Sequence, residues 1–279
     1  MALLLVLFGV EKAAADELST QLAIKTQHVA GNVYEGTIPL TIFRPFGQGP
    51  FPAIVLSHGR PESTQRSRMG RVKLSSASTT LLGLGYVVIV PTRTGYGSAG
   101  GPDLEFTVSC EAPRYAPALA AAADQIAAAV AFARSQQYVL PEEILLIGHS
   151  VGGAATIAAA SRGLPGVQAA VAFNSGYGGR SDRPGEPCAP DDLKTAFASY
   201  GATQRPAPVL WIHTEDDRVI SMEHEKEWFA AFSAAGGSGE FRAFPAQGPD
   251  SHYWFSADPA GWRNSVRDFL AKHTGQATP

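Results

Sequence analysis

The feature that most constrains the fold of this chain is a regular alternation of short apolar segments with segments of helical periodicity. Apolar runs with almost no charged residues are typical of strands buried on both faces, and helices between them imply a parallel sheet. We predict strands at 53–56, 86–90, 144–147, 167–173, 208–212 and 241–244, and helices at 68–84, 115–134, 151–162, 222–235 and 259–273. Residues 26–46 alternate weakly, which favours a β-hairpin or a meander before these units. The expected fold class is therefore α/β, with a mostly parallel central sheet and helices on both faces.

The segment GHSVG at 148–152 follows one of the predicted strands directly and leads into a predicted helix. A turn this tight between strand and helix needs small flanking residues, and it lifts the central hydroxyl, here that of Ser150, out of the sheet. The helix N-terminus behind it offers free N–H groups and a positive dipole end to a developing oxyanion. The pattern predicts that Ser150 is a nucleophile and that the N–H of Val151 stabilises the oxyanion.

Two later loops offer the acid and the base that a serine nucleophile needs. The strand at 208–212 runs into an acidic turn with Asp216 and Asp217, and only one of these can face a histidine because adjacent side chains diverge. Of the seven histidines, His252 is the one that lies after both motifs on a loop that follows a strand. The order along the chain, serine then aspartate then histidine, is one of the known orders of a catalytic triad.

A fourth motif, SHGR at 57–60, follows the strand at 53–56. Proteins with such a nucleophile turn take their second oxyanion donor from a loop after an earlier strand. Gly59 lets this loop turn, and the main-chain N–H of Arg60 is the candidate donor. His58 could act as a base by composition alone, but its place before the nucleophile favours a packing role.

The segment GYGSAG at 95–100 fits the G-x-G-x-x-G pattern of dinucleotide sites. Such a site needs a helix that starts at the glycines, so that its N-terminus can hold the pyrophosphate. Here Gly101-Pro102 follows, and helical periodicity begins only near Tyr115. We interpret the segment as a loop and expect no cofactor. We also expect no metal, because the two cysteines form no cluster with histidine.

Together these motifs resemble the α/β-hydrolase superfamily, and their details are similar to its dienelactone-hydrolase-like branch. The matching segments are SHGRPES at 57–63, VVIVPTRTGYGSAGG at 87–101, IGHSVGG at 147–153, PVLWIHTEDDRVI at 208–220 and the loop GPDSH at 248–252. In that branch the acid precedes a Val-Ile-like pair, which points to Asp217 before Val219-Ile220. The dienelactone hydrolases of the branch carry a cysteine where this chain has Ser150.

The resemblance implies a serine hydrolase that forms an acyl-enzyme through Ser150, Asp217 and His252. We expect short or small carboxylic esters as substrates, because the insert at about 175–206 has no amphipathic helix with a broad apolar face. A serine peptidase or amidase stays open as an alternative, as does a non-catalytic binding protein on a hydrolase fold. Aromatic residues on loops beside the motifs either line the pocket or pack the loops, and the candidates are Tyr96, Tyr177, Tyr253 and Trp254.

The N-terminus has an apolar run at 2–10 followed by three alanines, as in a signal peptide with an A-x-A cleavage site. We interpret 1–15 as a signal peptide and 16–279 as a single domain. The alternative is an apolar extension that lies on the domain. Export to the periplasm or beyond would allow Cys110 and Cys188 to form a disulfide, whereas a cytoplasmic protein would keep two free thiols.

The net charge of the chain indicates which classes of binding partner to expect. A formal net charge of −3 and the absence of any Lys/Arg run argue against nucleic acid. The N-terminal apolar run is shorter than the ~20 residues of a membrane span, so no span is expected. The expected partner is a small-molecule ester, and nothing in the sequence indicates an oligomeric state.

Overall fold

The computed structural model describes residues 16–27, 30–178, 182–203, 207–248 and 250–274, so the predicted signal peptide lies outside it. Its strands are β1 (Asp16–Gln27), β2 (Val33–Arg44), β3 (Phe51–Ser57), β4 (Val87–Pro91), β5 (Val139–His149), β6 (Val167–Phe173), β7 (Val209–Thr214) and β8 (Gly239–Phe244). Its helices are α1 (Ser63–Arg66), α2 (Ser75–Leu82), α3 (Tyr115–Arg134), α4 (Val151–Ala160), α5 (Pro190–Gly201), α6 (Met222–Ala234), α7 (Trp254–Ala257) and α8 (Pro259–Thr274), with 3₁₀ turns at Gly97–Ala99 and Ser251–Tyr253.

The strands form one sheet in the order β1-β2-β4-β3-β5-β6-β7-β8. The pairs β1/β2 and β2/β4 are antiparallel, and the six strands from β3 to β8 are all parallel to one another. The predicted α/β fold with a mostly parallel sheet is thus confirmed. The hairpin extends beyond the predicted range, because β1 and β2 pair along their whole length from Asp16 to Arg44.

Both faces of the sheet are buried along its central strands, which explains why β3, β4, β6 and β7 are largely apolar, whereas the edge strands β1 and β8 stay mostly exposed or half-buried. In β5, Ile144 and Leu146 join the core that α3, α4, α5 and α6 cover. Leu145 and Ile147 point the other way, into the core beneath α2, α7 and α8. Since successive side chains of a strand face opposite sides, a strand covered on both sides needs an apolar residue at every position.

Helix α3 is long and apolar enough to resemble a membrane span, with a mean hydropathy of 1.5 over 18 residues. In the fold it lies on the sheet, and Ala118, Ala122 and Ala129 along its length are completely buried. Small residues on this face let the helix approach the strands closely. Its apolar character is therefore that of a core helix.

One predicted helix is wrong in extent. The sequence pattern predicts a helix over 68–84, but α2 spans only Ser75–Leu82 and the chain before it crosses the sheet as an irregular segment. Val72 is held there by two hydrogen bonds: its N–H donates to the hydroxyl of Thr92, and its carbonyl accepts from that of Thr41. Local periodicity cannot anticipate these bonds with β2 and with the residue after β4, and they hold Val72 in a non-helical conformation.

The strand order brings two of the motifs together. Although β4 intervenes in the chain, it lies on the far side of β3, and β5 pairs with the free side of β3. Ligand crevices of parallel sheets form where the strand order reverses in this way. The register pairs Ser57 with Gly148, so the loop after β3 and the turn after β5 leave the sheet side by side.

The segment after β6 is fastened to the body of the protein. Its helix α5 buries Leu193 and Phe197, and Phe197 contacts the ring of Trp211 on β7. A disulfide joins Cys188, just before α5, to Cys110 in the loop that precedes α3. The bridge therefore ties this segment to the loop that follows β4.

Replacing both cysteines by serine should lower the free energy of unfolding by up to roughly 4 kcal/mol, since the bridge closes a loop of 78 residues in the unfolded chain. Urea unfolding of the double variant and of the oxidised wild type measures the difference. Reduced wild type should unfold at the midpoint of the variant. Two free thiols in unreduced, unfolded wild-type protein would contradict the pairing.

Candidate active site

Ser150 lies at the turn between β5 and α4 with φ 58° and ψ −127°. A serine holds this sparsely populated conformation only when the surrounding chain enforces it. A Cβ atom at Gly148 would lie 2.2 Å from the carbonyl oxygen of Gly152, so the turn closes only with glycine there. The Ser150 N–H donates to the carbonyl of Phe173 on β6 at 2.9 Å, which anchors the turn to the next strand. The strand–turn–helix context required by the motif is present.

Asp217 and His252 meet through a hydrogen bond. Nδ1 of His252 donates to Oδ2 of Asp217 at 2.8 Å, and both side chains are almost completely buried. The neighbouring Asp216 is exposed and has a left-handed φ of 60°. This backbone reversal sends the two carboxylates in different directions, and the structure places Asp217 against His252.

Further donors surround the Asp217 carboxylate. Oδ1 accepts from the N–H groups of Val219 and Ile220 at 2.7 and 2.9 Å, and Oδ2 accepts from the side-chain amide of Asn174 at 2.7 Å. Burial alone would raise the pKa of this carboxyl, but the hydrogen bond with His252 and the backbone donors hold it below its usual value. Asp217 is therefore a carboxylate at neutral pH.

His149 connects the nucleophile turn with the histidine loop. Its Nε2 donates to the carbonyl of His252 at 2.7 Å, and the two rings lie 4.7 Å apart between centroids. Burial, with the adjacent His252, lowers the pKa of His149 to about 3, so its ring is neutral. The residue before Ser150 thus holds His252 next to the turn.

The loop after β3 lies against Ser150. A Cβ atom at Gly59 would be 3.2 Å from the Cβ of Ser150. In the same loop, Nδ1 of His58 donates to the Gly59 carbonyl at 2.8 Å, and its Nε2 accepts from the N–H of Arg93 at 3.1 Å. Burial and the Arg93 charge lower the pKa of His58. Both nitrogens of this neutral ring are engaged by main-chain groups, as the packing interpretation expects.

Two ion pairs hold the loop after β3 in place. Arg93 and Glu105 form a completely buried pair, and the Arg93 guanidinium also donates to the hydroxyl of Ser57 at 2.8 Å. The side chain of Arg60 makes a bidentate pair with Asp103 at 2.7 and 2.6 Å. Because the guanidinium of Arg60 is paired with Asp103, its main-chain N–H is the group of this residue that is a candidate to donate to an oxyanion. The oxyanion roles of Arg60 and Val151 stay predictions.

The four aromatic pocket candidates have different surroundings. Tyr96 is completely buried and its hydroxyl donates to Glu105 at 2.6 Å, while the hydroxyl of Tyr177 donates to the Glu105 carbonyl at 3.2 Å. Trp254 is buried against Phe244. Tyr253 alone among the four is exposed, with 59% of its surface accessible and its ring edge-on to His252. Three of the candidates therefore pack the protein interior, and Tyr253 is the one of the four whose ring is exposed beside His252.

Sequence reasoning missed two residues that bear on the acid. Asn174 follows the last residue of β6, at the edge where the parallel strands end, and this position was the signal that could have identified it. Glu225 lies in the first turn of α6, completely buried and hydrogen bonded to His213. Acidic residues in the first turn of a helix are usually exposed, so nothing in the sequence around Glu225 indicated that it is buried.

Within the described ranges, no group of three or more His, Cys, Asp or Glu side chains has an arrangement that could hold a metal ion.

The fold is similar to those of several solved hydrolases. One is dipeptidyl peptidase 4 of Porphyromonas gingivalis, with a TM-score of 0.63 and 15% identity, covering 94% of this chain and 36% of the peptidase. Another is an acylaminoacyl peptidase of Pyrococcus horikoshii (TM-score 0.61, 13% identity, 93% of this chain, 41% of the other). A third is an esterase of Pyrococcus furiosus (TM-score 0.59, 16% identity, 94% of this chain, 91% of the other). This chain spans well under half of either peptidase. At identities this low, the structural similarity establishes a shared fold and nothing more.

No curated protein sequence matches the chain significantly. The sequence profile of the dienelactone hydrolase family does match, over residues 69–269. The match covers more than half of the chain and includes the turn at Ser150, the acid turn and the histidine loop. The chain belongs to the dienelactone hydrolase family.

Proposed function

We propose that this chain is a serine esterase in which Ser150, His252 and Asp217 form the catalytic triad. Its family makes it a hydrolase. The observation that carries the finer assignment is the buried hydrogen bond between Asp217 and His252, at the sheet edge where the Ser150 turn projects. A carboxylate in this contact orients the imidazole and stabilises the imidazolium that forms during acyl transfer.

The mechanism follows from the tautomer that Asp217 selects. With Nδ1–H donated to Asp217, Nε2 of His252 is free to take the proton from the Ser150 hydroxyl as its oxygen attacks the ester carbonyl. The N–H groups of Val151 and Arg60 stabilise the oxyanion. His252 then protonates the departing alcohol, leaving an acyl-enzyme. It next takes a proton from water as the water oxygen attacks the acyl group, and it returns that proton to the Ser150 oxygen as the bond between this oxygen and the acyl carbon breaks, which releases the acid.

A serine peptidase is the second candidate, because two of the similar structures are peptidases. Cleavage of an amide would use the same groups. The lengths over which the structures match favour the esterase assignment. This chain matches nearly all of the Pyrococcus furiosus esterase, but less than half of each peptidase.

The proposal includes export. A disulfide between Cys110 and Cys188 is typical of proteins from oxidising compartments. The apolar run at 2–10 is consistent with a signal peptide, although it lies outside the described residues. Free thiols at both positions in protein taken from its native compartment would argue against export.

Ser150→Ala should lower kcat for ester hydrolysis about 10³-fold or more, because the variant has no nucleophile. It should also abolish labelling by a fluorophosphonate, which would separate an active enzyme from a binding protein on the same fold. Ser161→Ala is the matched control, since Ser161 ends α4 with its hydroxyl bonded to the Ala158 carbonyl. A Ser150→Ala enzyme of near wild-type rate would refute the assignment.

Asp217→Asn should lower kcat by several orders of magnitude, because an amide can hold His252 in the wrong tautomer and cannot stabilise its charge. Asp216→Asn should leave kcat within about twofold, since that exposed side chain points elsewhere. Steady-state kinetics of the two variants measure this difference. The opposite ranking would move the acid to Asp216.

The enzyme should prefer short acyl chains. Helix α5 packs its apolar residues Leu193 and Phe197 into the core, and the disulfide fastens the segment before it. Within the described part of this segment, no broad apolar face is therefore left to meet a lipid surface. The measurement is kcat/KM for p-nitrophenyl esters of increasing chain length, beside aminoacyl p-nitroanilides. A maximum at long chains or activation by an oil–water interface would contradict the preference, and faster anilide cleavage would favour the peptidase.

A further inference from the structure

A second histidine–carboxylate pair lies directly behind the acid turn. His213 is on β7, four residues before Asp217, and Glu225 is in the first turn of α6, which begins just after the acid turn. Nδ1 of His213 is hydrogen bonded to Glu225, and both side chains are completely buried. The pair closes the loop that carries Asp217, and the mechanism above leaves it without a role.

Glu225 also reaches the neighbouring strand. Its Oε1 accepts from the N–H of Ser175 at 2.8 Å, so the carboxylate holds the main chain at the end of β6. The preceding residue, Asn174, has a left-handed φ of 45° and donates to Oδ2 of Asp217 and to the hydroxyl of Thr214 at 2.9 Å. The anchor that Glu225 supplies is therefore one residue away from the amide that contacts the acid.

The same short segment touches the nucleophile turn. The N–H of Gly176 donates to the carbonyl of Ser150 at 3.2 Å. A shift of residues 174–176 would consequently move the amide that orients Asp217 and the main chain of the nucleophile together. From the side of α6, Glu225 holds this segment by a hydrogen bond, and the ring of Trp228 packs against Gly176.

Electrostatics place His213 between two buried carboxylates. Burial raises the pKa of Glu225, and the charge of Asp217 raises it further. Burial would lower the pKa of His213, but Glu225 outweighs it and Asp217 adds to the effect, so the pKa lies above its usual value. The hydrogen bond and charge of His213 oppose the rise in the pKa of Glu225, so each member of the pair offsets part of the cost of burying the other.

We propose that Glu225 and His213 are positioning residues of the esterase: the pair anchors Ser175 and thereby sets the direction in which Asn174 holds Asp217 against His252. The inference rests on the proposed triad. Neither residue touches the reacting atoms, so the pair acts through Asn174 and Asp217. A pair that served packing alone would be replaceable, because apolar residues of similar volume stabilise a buried site about as well as an ion pair does.

Three variants test the proposal. Glu225→Gln keeps an acceptor for the Ser175 N–H, and kcat should fall less than about tenfold. Glu225→Leu removes that acceptor, and kcat should fall on the order of 10²-fold with KM within about twofold, because misplacing catalytic groups slows chemistry more than binding. The double variant His213→Phe/Glu225→Leu is an apolar replacement of the pair, and kcat should stay as low as in Glu225→Leu although the protein folds.

The matched control is Glu227→Gln, which breaks an exposed ion pair on the same helix, between Glu227 and Lys194 of α5 at 3.1 Å. Its kcat should be unchanged. Circular dichroism of each variant measures the folded fraction, to which every rate is normalised. Wild-type kcat in the double variant would overturn the proposal, as would a loss confined to KM. If Ser150→Ala stays active, the triad itself is wrong. If the triad variants are inactive and the Glu225 variants are not, only the positioning role is wrong.

Discussion

The burial of the Asp217 carboxylate is the constraint on which the arrangement of the site depends. A carboxylate removed from water is tolerated only when hydrogen-bond donors surround its oxygens. Among the described residues the donors come from three places: its own turn through Val219 and Ile220, the end of β6 through Asn174, and the loop after β8 through His252. Each donor fixes the segment that supplies it, so satisfying one charge aligns three loops at one edge of the sheet.

A buried positive charge has the same effect on the loop after β3, which lies against Ser150. Arg93 is a guanidinium without any exposed surface, and it donates hydrogen bonds to Glu105 and to Ser57. Its main-chain N–H meanwhile holds His58, which holds Gly59 next to the nucleophile. Hydrogen bonds therefore hold the loop proposed to donate to the oxyanion in place without a substrate, and N–H dipoles lower a barrier most when they are oriented in advance.

The success and failure of the sequence predictions have distinct physical origins. Strand β6 was predicted with its observed bounds, because both of its faces are buried and every position in such a strand favours an apolar residue. The helix over 68–84 failed because Thr41 and Thr92, distant in sequence, bind Val72 in a non-helical conformation. The aromatic candidates were chosen by loop position alone, which does not report whether a ring such as that of Tyr96 points inward.

The sequence by itself determined the fold class, the turn that carries Ser150 and the order of the serine, acid and histidine motifs, because these depend on local periodicity and on residues adjacent in the chain. Only the tertiary structure decided what surrounds them. Asn174 meets Asp217 across 43 residues and Ser175 meets Glu225 across 50, contacts that exist because β6 and β7 pair in parallel and end at the same edge. Strand order and register place such groups within hydrogen-bond distance, and no spacing along the chain encodes that proximity.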